Sequence, residues 1–219
     1  MLSESVCSEY RDYSAGKNLI DSFVEAGLLQ FGRFGDDGIP FKLNLQLLPA
    51  YPSILRNITE QAHTLFEEAH FDRLVCAFDS TPFGVALSLQ SDIPLVHSRG
   101  SDLSGVYDLV GAYDVGHPAL LLVNVWEDNS DVHQLVGKAR HVGLEIDTVL
   151  TIVDYGIKPP NGLSVWSLLY LAETVVRLVD AGRLPPGQGR AVLDWLRSNG
   201  MLKEEQGGEC LHLEQRPPE

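Results

Sequence analysis

The stretch ALLLVNVWEDNSDVHQLVGKARHVG, residues 119–143, decides the fold. Its first seven residues are mainly apolar, a short polar turn follows, and the apolar residues then recur at helical spacing. This pattern predicts a strand, a loop and a helix. The loop of such a unit commonly binds an anion through bare amides at the start of the helix. Here, in place of glycines and hydroxyls, the loop carries Glu127, Asp128, Asn129, Ser130 and Asp131.

The same alternation extends to both sides of this stretch. The apolar strands do not alternate with polar residues, which is typical of a parallel sheet covered on both faces. We therefore predict an α/β domain with a central, mainly parallel sheet flanked by helices. The predicted strands are DRLVCAF (72–78), IPLVHS (93–98), ALLLVNV (119–125) and IDTVLTIVDYG (146–156), and the helices between them are TPFGVALSLQ (81–90) and DVHQLVGKARHVG (131–143).

The segments at either end of this core are predicted to form a small hood. Helices are expected near 15–26 and 51–69 and a strand near 41–46. Two helices are expected to close the chain, over SVWSLLYLAETVVRLVDAG (164–182) and PGQGRAVLDWLRSNG (186–200). The domain is predicted to span residues 15–200, after a loose segment over 1–14 and before a disordered tail over 201–219.

Composition excludes several classes of partner. The 219 residues have a net charge of −14, so we expect neither a nucleic-acid partner nor an anionic membrane surface, since both require clustered Lys and Arg. No run approaches the roughly 18 apolar residues of a membrane span, and the first residues do not resemble a secretory signal. We expect a cytoplasmic protein. The cysteines Cys7, Cys76 and Cys210 fit no zinc or disulfide pattern, and Cys76 is expected to be a buried thiol.

The order of these segments resembles that of the type I phosphoribosyltransferases, specifically orotate phosphoribosyltransferase, from about Leu19 to Asn199. FDRLVCAFDSTPFGVALSLQSDIPLVHSRG stands where the family has its pyrophosphate loop, a helix and a strand. DLVGAYDVGHPALLLVNV and KARHVGLEIDTVLTIVDYG resemble the two runs that follow in the family. The resemblance implies a phosphoribosyltransferase-like (Rossmann-like) fold and a dimer.

The resemblance also implies where ligand groups should be, and the chain departs from the family there. Val123 and Asn124 stand where two acidic residues contact ribose hydroxyls, and residues 127–131 replace the Thr-, Gly- and Ser-rich loop around the 5′-phosphate. A carboxylate about 4 Å from a phosphate charge is repelled by roughly 1 kcal/mol in water and by several times that in a drier pocket. We interpret residues 124 and 127–131 as a degenerate ligand loop.

Three further segments shift in the same direction. Asp36 and Asp37 stand near a position where the family has a ligand-binding lysine, and residues 78–81 replace the small residues of the pyrophosphate loop. The lysine-rich mobile loop of the family is reduced to RGSDLSGVYD, in which Arg99 is the one cation. Arg99 and Thr81 are the candidate contacts for a phosphate or another anion, with an ion pair to a neighbouring Asp equally open for Arg99.

These features favour a non-catalytic relative of orotate phosphoribosyltransferase that acts by binding a ligand or a protein, as a scaffold or regulator. We assign no catalytic residue, no metal ligand and no cofactor. The alternative is an active enzyme that makes orotidine 5′-monophosphate for pyrimidine nucleotide synthesis, with Mg²⁺ and a rearranged phosphate loop. New chemistry in the same cleft is a third hypothesis. Expected partners are a second copy or an active paralogue, and a small anionic or nucleotide ligand.

Several of these residues also have simpler interpretations. Glu127, Asp128 and Asp131 complement the dipole of the helix they precede, and Asp128 with Asp131 could instead hold Mg²⁺. The histidines show no metal-ligand spacing. For Trp126 we weigh three roles: filling the emptied pocket, which we favour, stacking on a base, or joining an interface. The candidate dimer contacts are Val106, Tyr107, Leu109 and Tyr113.

Overall fold

The computed structural model describes residues 14–35, 38–101, 105–127, 130–160 and 162–202. Its first half contains helix α1 (Ser14–Glu25), strands β1 (Leu29–Phe34) and β2 (Ile39–Leu43), α2 (Pro52–Phe66), β3 (Arg73–Cys76), α3 (Thr81–Ser91) and β4 (Leu95–Ser98). Its second half contains α4 (Gly105–Asp108), β5 (Leu109–Val110), β6 (Pro118–Trp126), α5 (Ser130–His141), β7 (Glu145–Asp154), β8 (Ser164–Tyr170), α6 (Leu171–Asp180) and α7 (Pro186–Ser198). Short 3₁₀ helices cover Leu45–Ala50 and Phe78–Ser80.

Most of the predicted loose segment and tail lies outside the described residues. Ser14 begins α1, and Met201 packs in the core with its amide bonded to the carbonyl of Leu196. The predicted domain boundaries stay predictions.

The central sheet has six strands in the order β5-β4-β3-β6-β7-β8. All neighbouring pairs are parallel except β4 and β5, which pair antiparallel at one edge. Strand β6 lies inside the sheet, and its residues 119–123 are all buried. Alternate residues of the inner strands enter two apolar clusters, one packed by α1, α2, α3, α6 and α7 and the other by α5. The predicted mainly parallel α/β fold is confirmed.

The N-terminal and C-terminal segments pack together as the predicted hood. Strands β1 and β2 form an antiparallel hairpin. Phe41 of this hairpin contacts Trp195 of α7 and Tyr155 edge-on, at ring distances of 5.3 and 5.4 Å. Arg183 bridges Asp21 and Glu25 of α1 at 3.2 and 3.1 Å. Aromatic packing and a shared ion pair therefore join the two ends of the described chain.

The single helix predicted over 164–182 is wrong. Residues 164–170 form β8, which pairs in parallel with β7 from Thr148–Ser164 to Asp154–Tyr170, and a helix begins only at Leu171. Trp166 contacts Phe71 at a ring distance of 6.1 Å. Aromatic and β-branched residues suit a half-buried strand, and ladder hydrogen bonds to β7 decide between the two structures.

Two other elements differ from expectation. The strand predicted near 41–46 is β2, and β1 before it was not predicted. Residues 100–117, which lie between the predicted strands at 93–98 and 119–125, contain α4 and β5, and β5 adds a short antiparallel edge to the sheet. Asp108, the last residue of α4, directly precedes this edge strand.

Candidate functional site

A cavity of about 450 Å³ opens beyond the carboxyl ends of β3, β4 and β6. Ligands of open parallel α/β sheets bind in crevices at this edge. Its floor comes from the residues that follow β3 and from the last residues of β6, and α5 supplies one wall. All residues that line the cavity are together called the cavity wall. Those with polar or charged side chains are Asp79, Ser98, Ser101, Asp108, Asn124, Glu127, Asp131, Gln134 and Lys138.

Asn124 joins β6 to the loop after β3. Its amide nitrogen donates to the backbone oxygen of Asp79 at 2.9 Å and to the Asp79 carboxylate at 3.3 Å. The Ser80 hydroxyl donates to the other carboxylate oxygen at 3.2 Å. Asn124 is buried, so its amide supports an acidic side chain of the cavity wall. This amide stands where the resemblance implies a carboxylate for ribose.

Two of the predicted loop carboxylates lie in the same wall. Glu127 is half-buried, and burial together with the charge of Asp79 raises the pKa of its carboxyl. Asp131 is exposed and lies in the first turn of α5. Asp128 and Asn129 lie outside the described residues, and of Ser130 only the backbone is described, at the start of α5. The structure therefore brings Asn124, Glu127 and Asp131 together.

The second acidic centre of the wall was not predicted. Asp108 is fully buried and accepts hydrogen bonds from the Ser98 hydroxyl at 2.7 Å and from the Ser101 amide and hydroxyl at 2.9 and 2.8 Å. The Lys138 ammonium lies 3.4 Å from the same carboxylate and also donates to the Ser101 carbonyl. Gly100 allows the turn between the serines with a φ of +70°.

Hydrogen bonds outweigh burial at Asp108. Burial raises the pKa of this carboxyl, but the hydrogen bonds from Ser101 and Ser98 and the charge of Lys138 lower it to about 2. Asp108 is therefore ionised at neutral pH. Lys138 is the one basic side chain in the part of the wall that the structure describes, and it is paired with an acid.

The two predicted anion contacts lie outside the cavity wall. The Arg99 side chain is exposed, and its backbone amide bonds to the carbonyl of Asp108 at 3.0 Å. The Thr81 hydroxyl donates to the Phe78 carbonyl at 2.7 Å, at the start of α3. The structure does not bring these two side chains together with the loop carboxylates.

Trp126 does not fill the cavity. Its indole is buried in the apolar cluster under α5, donates from Nε1 to the Ile157 carbonyl at 2.9 Å, and meets His133 edge-on. The favoured interpretation of Trp126 as a plug is therefore wrong. The reason is that the carbonyl of Ile157 and the apolar face of α5 offer the indole a complete set of contacts away from the cleft.

The predicted dimer residues have different surroundings. Tyr107 is 65% exposed, whereas Leu109 is buried and Tyr113 packs against the cluster under α5. The side chain of Val106 lies outside the description. Of the described members of this set, Tyr107 alone is largely free to contact another molecule.

Within the described ranges, no three His, Cys, Asp or Glu side chains come together as a metal site. Over the same ranges, none of the helices combines the length and the apolar character that crossing a bilayer would require.

No family model matches this chain. Its sequence is 25% identical over 163 residues to the orotate phosphoribosyltransferase of Archaeoglobus fulgidus, which covers 72% of this chain and 90% of that protein.

Solved structures share its fold. UMP synthase from Leishmania donovani superposes with a TM-score of 0.75 at 19% identity, over 84% of this chain and 42% of that longer chain. The orotate phosphoribosyltransferase of Francisella tularensis superposes with a TM-score of 0.65 at 16% identity, over 83% of this chain and 98% of that chain. Together with the archaeal match, these likenesses confirm the predicted resemblance: the chain is similar in sequence to an orotate phosphoribosyltransferase and shares the phosphoribosyltransferase fold.

Proposed function

We propose that this chain is a non-catalytic relative of orotate phosphoribosyltransferase that acts by binding a small ligand or a protein, in a scaffold or regulatory role. One observation carries the proposal, namely the charge of the cavity wall. Its described part contains the four carboxyl side chains Asp79, Asp108, Glu127 and Asp131 and the single ammonium of Lys138. The wall therefore has an excess of negative charge.

This charge opposes the substrate of the family. Phosphoribosyl pyrophosphate carries a phosphate ester and a diphosphate. A like charge at about 4 Å costs roughly 1 kcal/mol in water and about 4 kcal/mol at the effective dielectric constant of a protein surface. Burial raises the pKa of the Glu127 carboxyl most, and the Asp79 charge raises it further, so a second anion is already disfavoured at this position.

Catalysis would need the opposite arrangement. Negative charge grows on diphosphate as it leaves, and an enzyme stabilises it with preorganised donors or cations. Lys138 is engaged by Asp108, and the Arg99 side chain is exposed outside the wall. The described part of the cleft therefore offers the departing group little positive charge.

What remains is a cleft and a surface suited to binding. A volume of about 450 Å³ lies within the range of small-molecule sites. Phe78, Val85 and Leu89 are exposed apolar side chains at and along α3, where a second copy or an active paralogue could pack. A cytoplasmic location belongs to the same proposal, supported by the buried free thiol of Cys76.

The alternative is an active enzyme that makes orotidine 5′-monophosphate for pyrimidine nucleotide synthesis. Two observations favour it: the match to the archaeal enzyme extends over 90% of that protein, and the cavity is open. Carboxylate oxygens are ligands that Mg²⁺ prefers, so Asp79 and Glu127 would be suitable ligands for a Mg²⁺ ion that is also bound by a diphosphate. Bound Mg²⁺ would supply the positive charge that the described wall lacks.

Calorimetric titration with phosphoribosyl pyrophosphate, with and without Mg²⁺, tests the proposal, with the Archaeoglobus fulgidus enzyme as positive control. We expect a dissociation constant of the wild-type protein above about 1 mM, whereas micromolar binding would favour the alternative. The double variant Asp79→Asn, Glu127→Gln removes two wall charges and should bind at least about tenfold more tightly, which corresponds to 1.4 kcal/mol. Unchanged weak binding by this variant would show that charge is not the cause.

A further inference from the structure

The surroundings of Asp108 have the form of a binding site for an oxyanion. Four donor groups converge on one buried carboxylate: the Ser98 hydroxyl, the Ser101 amide, the Ser101 hydroxyl and the Lys138 ammonium. One carboxylate oxygen receives Ser98 and Lys138, and the other receives both groups of Ser101. An amide, hydroxyls and an ammonium are the donors by which proteins bind carboxylates and phosphates.

Two of the donor residues, Ser98 and Lys138, are held in place independently of Asp108. The Ser98 hydroxyl accepts the Gly100 amide at 2.9 Å, which directs its proton toward the carboxylate. Lys138 projects from α5 and is only 20% exposed. Ser98 and Lys138 thus belong to a strand end and a helix that the core already fixes. Removal of the carboxylate should leave the Ser98 hydroxyl and the Lys138 ammonium in position.

We propose that Ser98, Ser101 and Lys138 form an oxyanion site in the cavity wall and that Asp108 is its intramolecular ligand. The chain thereby occupies the site itself and excludes external carboxylates and phosphates from it. This inference deepens the proposed function, on which its biological meaning rests, because it explains why a cation in the cleft does not attract an anionic substrate.

Tethering makes the internal ligand hard to displace. The Arg99 amide bonds to the Asp108 carbonyl at 3.0 Å, and the pairing of Ser98 with Leu109 fixes the next residue in the sheet. A group held this way competes at a high effective concentration, so a free anion at millimolar concentration gains little access.

Chemical rescue tests the inference by thermal unfolding. Asp108→Ala opens a space beside the donors, and sodium formate should fill it, while sodium chloride at the same ionic strength serves as reference. At a formate concentration ten times its dissociation constant we expect the melting temperature of the variant to rise by about 3–6 °C. The wild-type protein, whose site is occupied, should show no formate-specific shift.

Three controls make the result specific. Asp108→Asn keeps the site filled and should not respond to formate. Asp79→Ala removes another carboxylate of the same cavity, one that these donors do not contact. This variant should not respond to formate either. Adding Lys138→Met to Asp108→Ala should weaken the rescue. Asp108→Ser replaces the alanine variant if that variant does not fold.

Absence of a formate-specific shift in both Asp108→Ala and Asp108→Ser would overturn the inference, as would an equal shift in Asp79→Ala. The readout is stability in the presence of formate alone. Failure of the proposed function in the phosphoribosyl pyrophosphate titration would therefore leave this result unaffected, and the two can fail separately.

Discussion

Replacing Lys138 with methionine perturbs the acid–base pair found in the described part of the cavity wall, while keeping a side chain of similar length. The ammonium lies 3.4 Å from the Asp108 carboxylate, and the two side chains are 20% and 0% exposed. At that separation the attraction is about 1 kcal/mol in water and about 5 kcal/mol at an effective dielectric constant of 20. Desolvation offsets part of it, and Asp108 keeps its serine donors. We therefore expect Lys138→Met to lower the free energy of unfolding by about 1–3 kcal/mol at pH 7.

The loss should depend on pH with a defined sign. The folded-state pKa of Asp108 is about 2, below its ordinary value of 3.8, so its contribution to stability is complete above pH 4 and disappears as the pH falls through 2. Without Lys138 one cause of the lowering is gone, so the variant should lose this contribution at a higher pH. As the pH falls through 2 the carboxyl of the wild-type protein becomes protonated as well, so the stabilities of the two proteins should approach each other.

Urea unfolding at pH 7, 4 and 2.5 measures this directly. Lys158→Met is the matched control, because Lys158 is exposed and lies outside the cavity wall, and its effect should stay within about 0.5 kcal/mol. A Lys138→Met loss that is the same at all three pH values, or no larger than the control, would refute the electrostatic reasoning.

Three further outcomes follow from the site and the core. Glu127→Gln should stabilise the protein by roughly 0.2–1 kcal/mol at pH 7, because burial and the Asp79 charge raise the pKa of Glu127 and make its ionised form unfavourable. The gain should vanish below pH 4, where Glu127 is protonated. Urea titrations that show an equal gain at pH 7 and below pH 4 would count against this. Burial raises the pKa of Cys76 to about 12, so peptide mapping should find this thiol alkylated only on unfolding, and rapid labelling of native protein would contradict its burial. Trp126→Phe should cost about 1–2 kcal/mol in chemical denaturation, since the Ile157 carbonyl loses its donor, and an unchanged midpoint would show that this hydrogen bond matters little.

The inner strands of the sheet were predictable because their apolar runs have one structural solution. Residues 119–125 are apolar without interruption except at Asn124, and a strand buried on both faces is the element that fits. The run from 164 to 182 has two solutions. The spacing of Trp166, Leu169 and Tyr170 suits a helix. Hydrogen bonding to β7 selects the strand instead, and this pairing has no signal in the local sequence.

The candidate site likewise contains residues that the sequence predicts and residues that it does not. Asn124, Glu127 and Asp131 were predicted because they follow one another around a strand–loop–helix unit, so local order brings them to the same edge. Asp108 and Lys138 lie 30 residues apart and share no motif. The local signal for Asp108 was an acid directly before the apolar pair Leu109–Val110, which indicates a carboxylate beside a short strand. Its partner could not be identified before α5 was placed over the end of β4.

The orientation of Trp126 was equally out of reach of the sequence. An indole after a strand can point toward the cleft or toward the core, and the position of a hydrogen-bond acceptor for its N–H determines which. That acceptor is the carbonyl of Ile157, 31 residues later, in the segment after β7. The charge of the wall, in contrast, follows from residue identity once the strand ends are known.

Orotate consumption by the purified 219-residue chain, supplied with phosphoribosyl pyrophosphate and Mg²⁺, tests the central claim most directly. The acidic wall predicts no orotidine 5′-monophosphate above the rate without protein, under conditions in which the Archaeoglobus fulgidus enzyme turns over. Saturable turnover that is lost on replacing Lys138 or Asn124 would contradict the account.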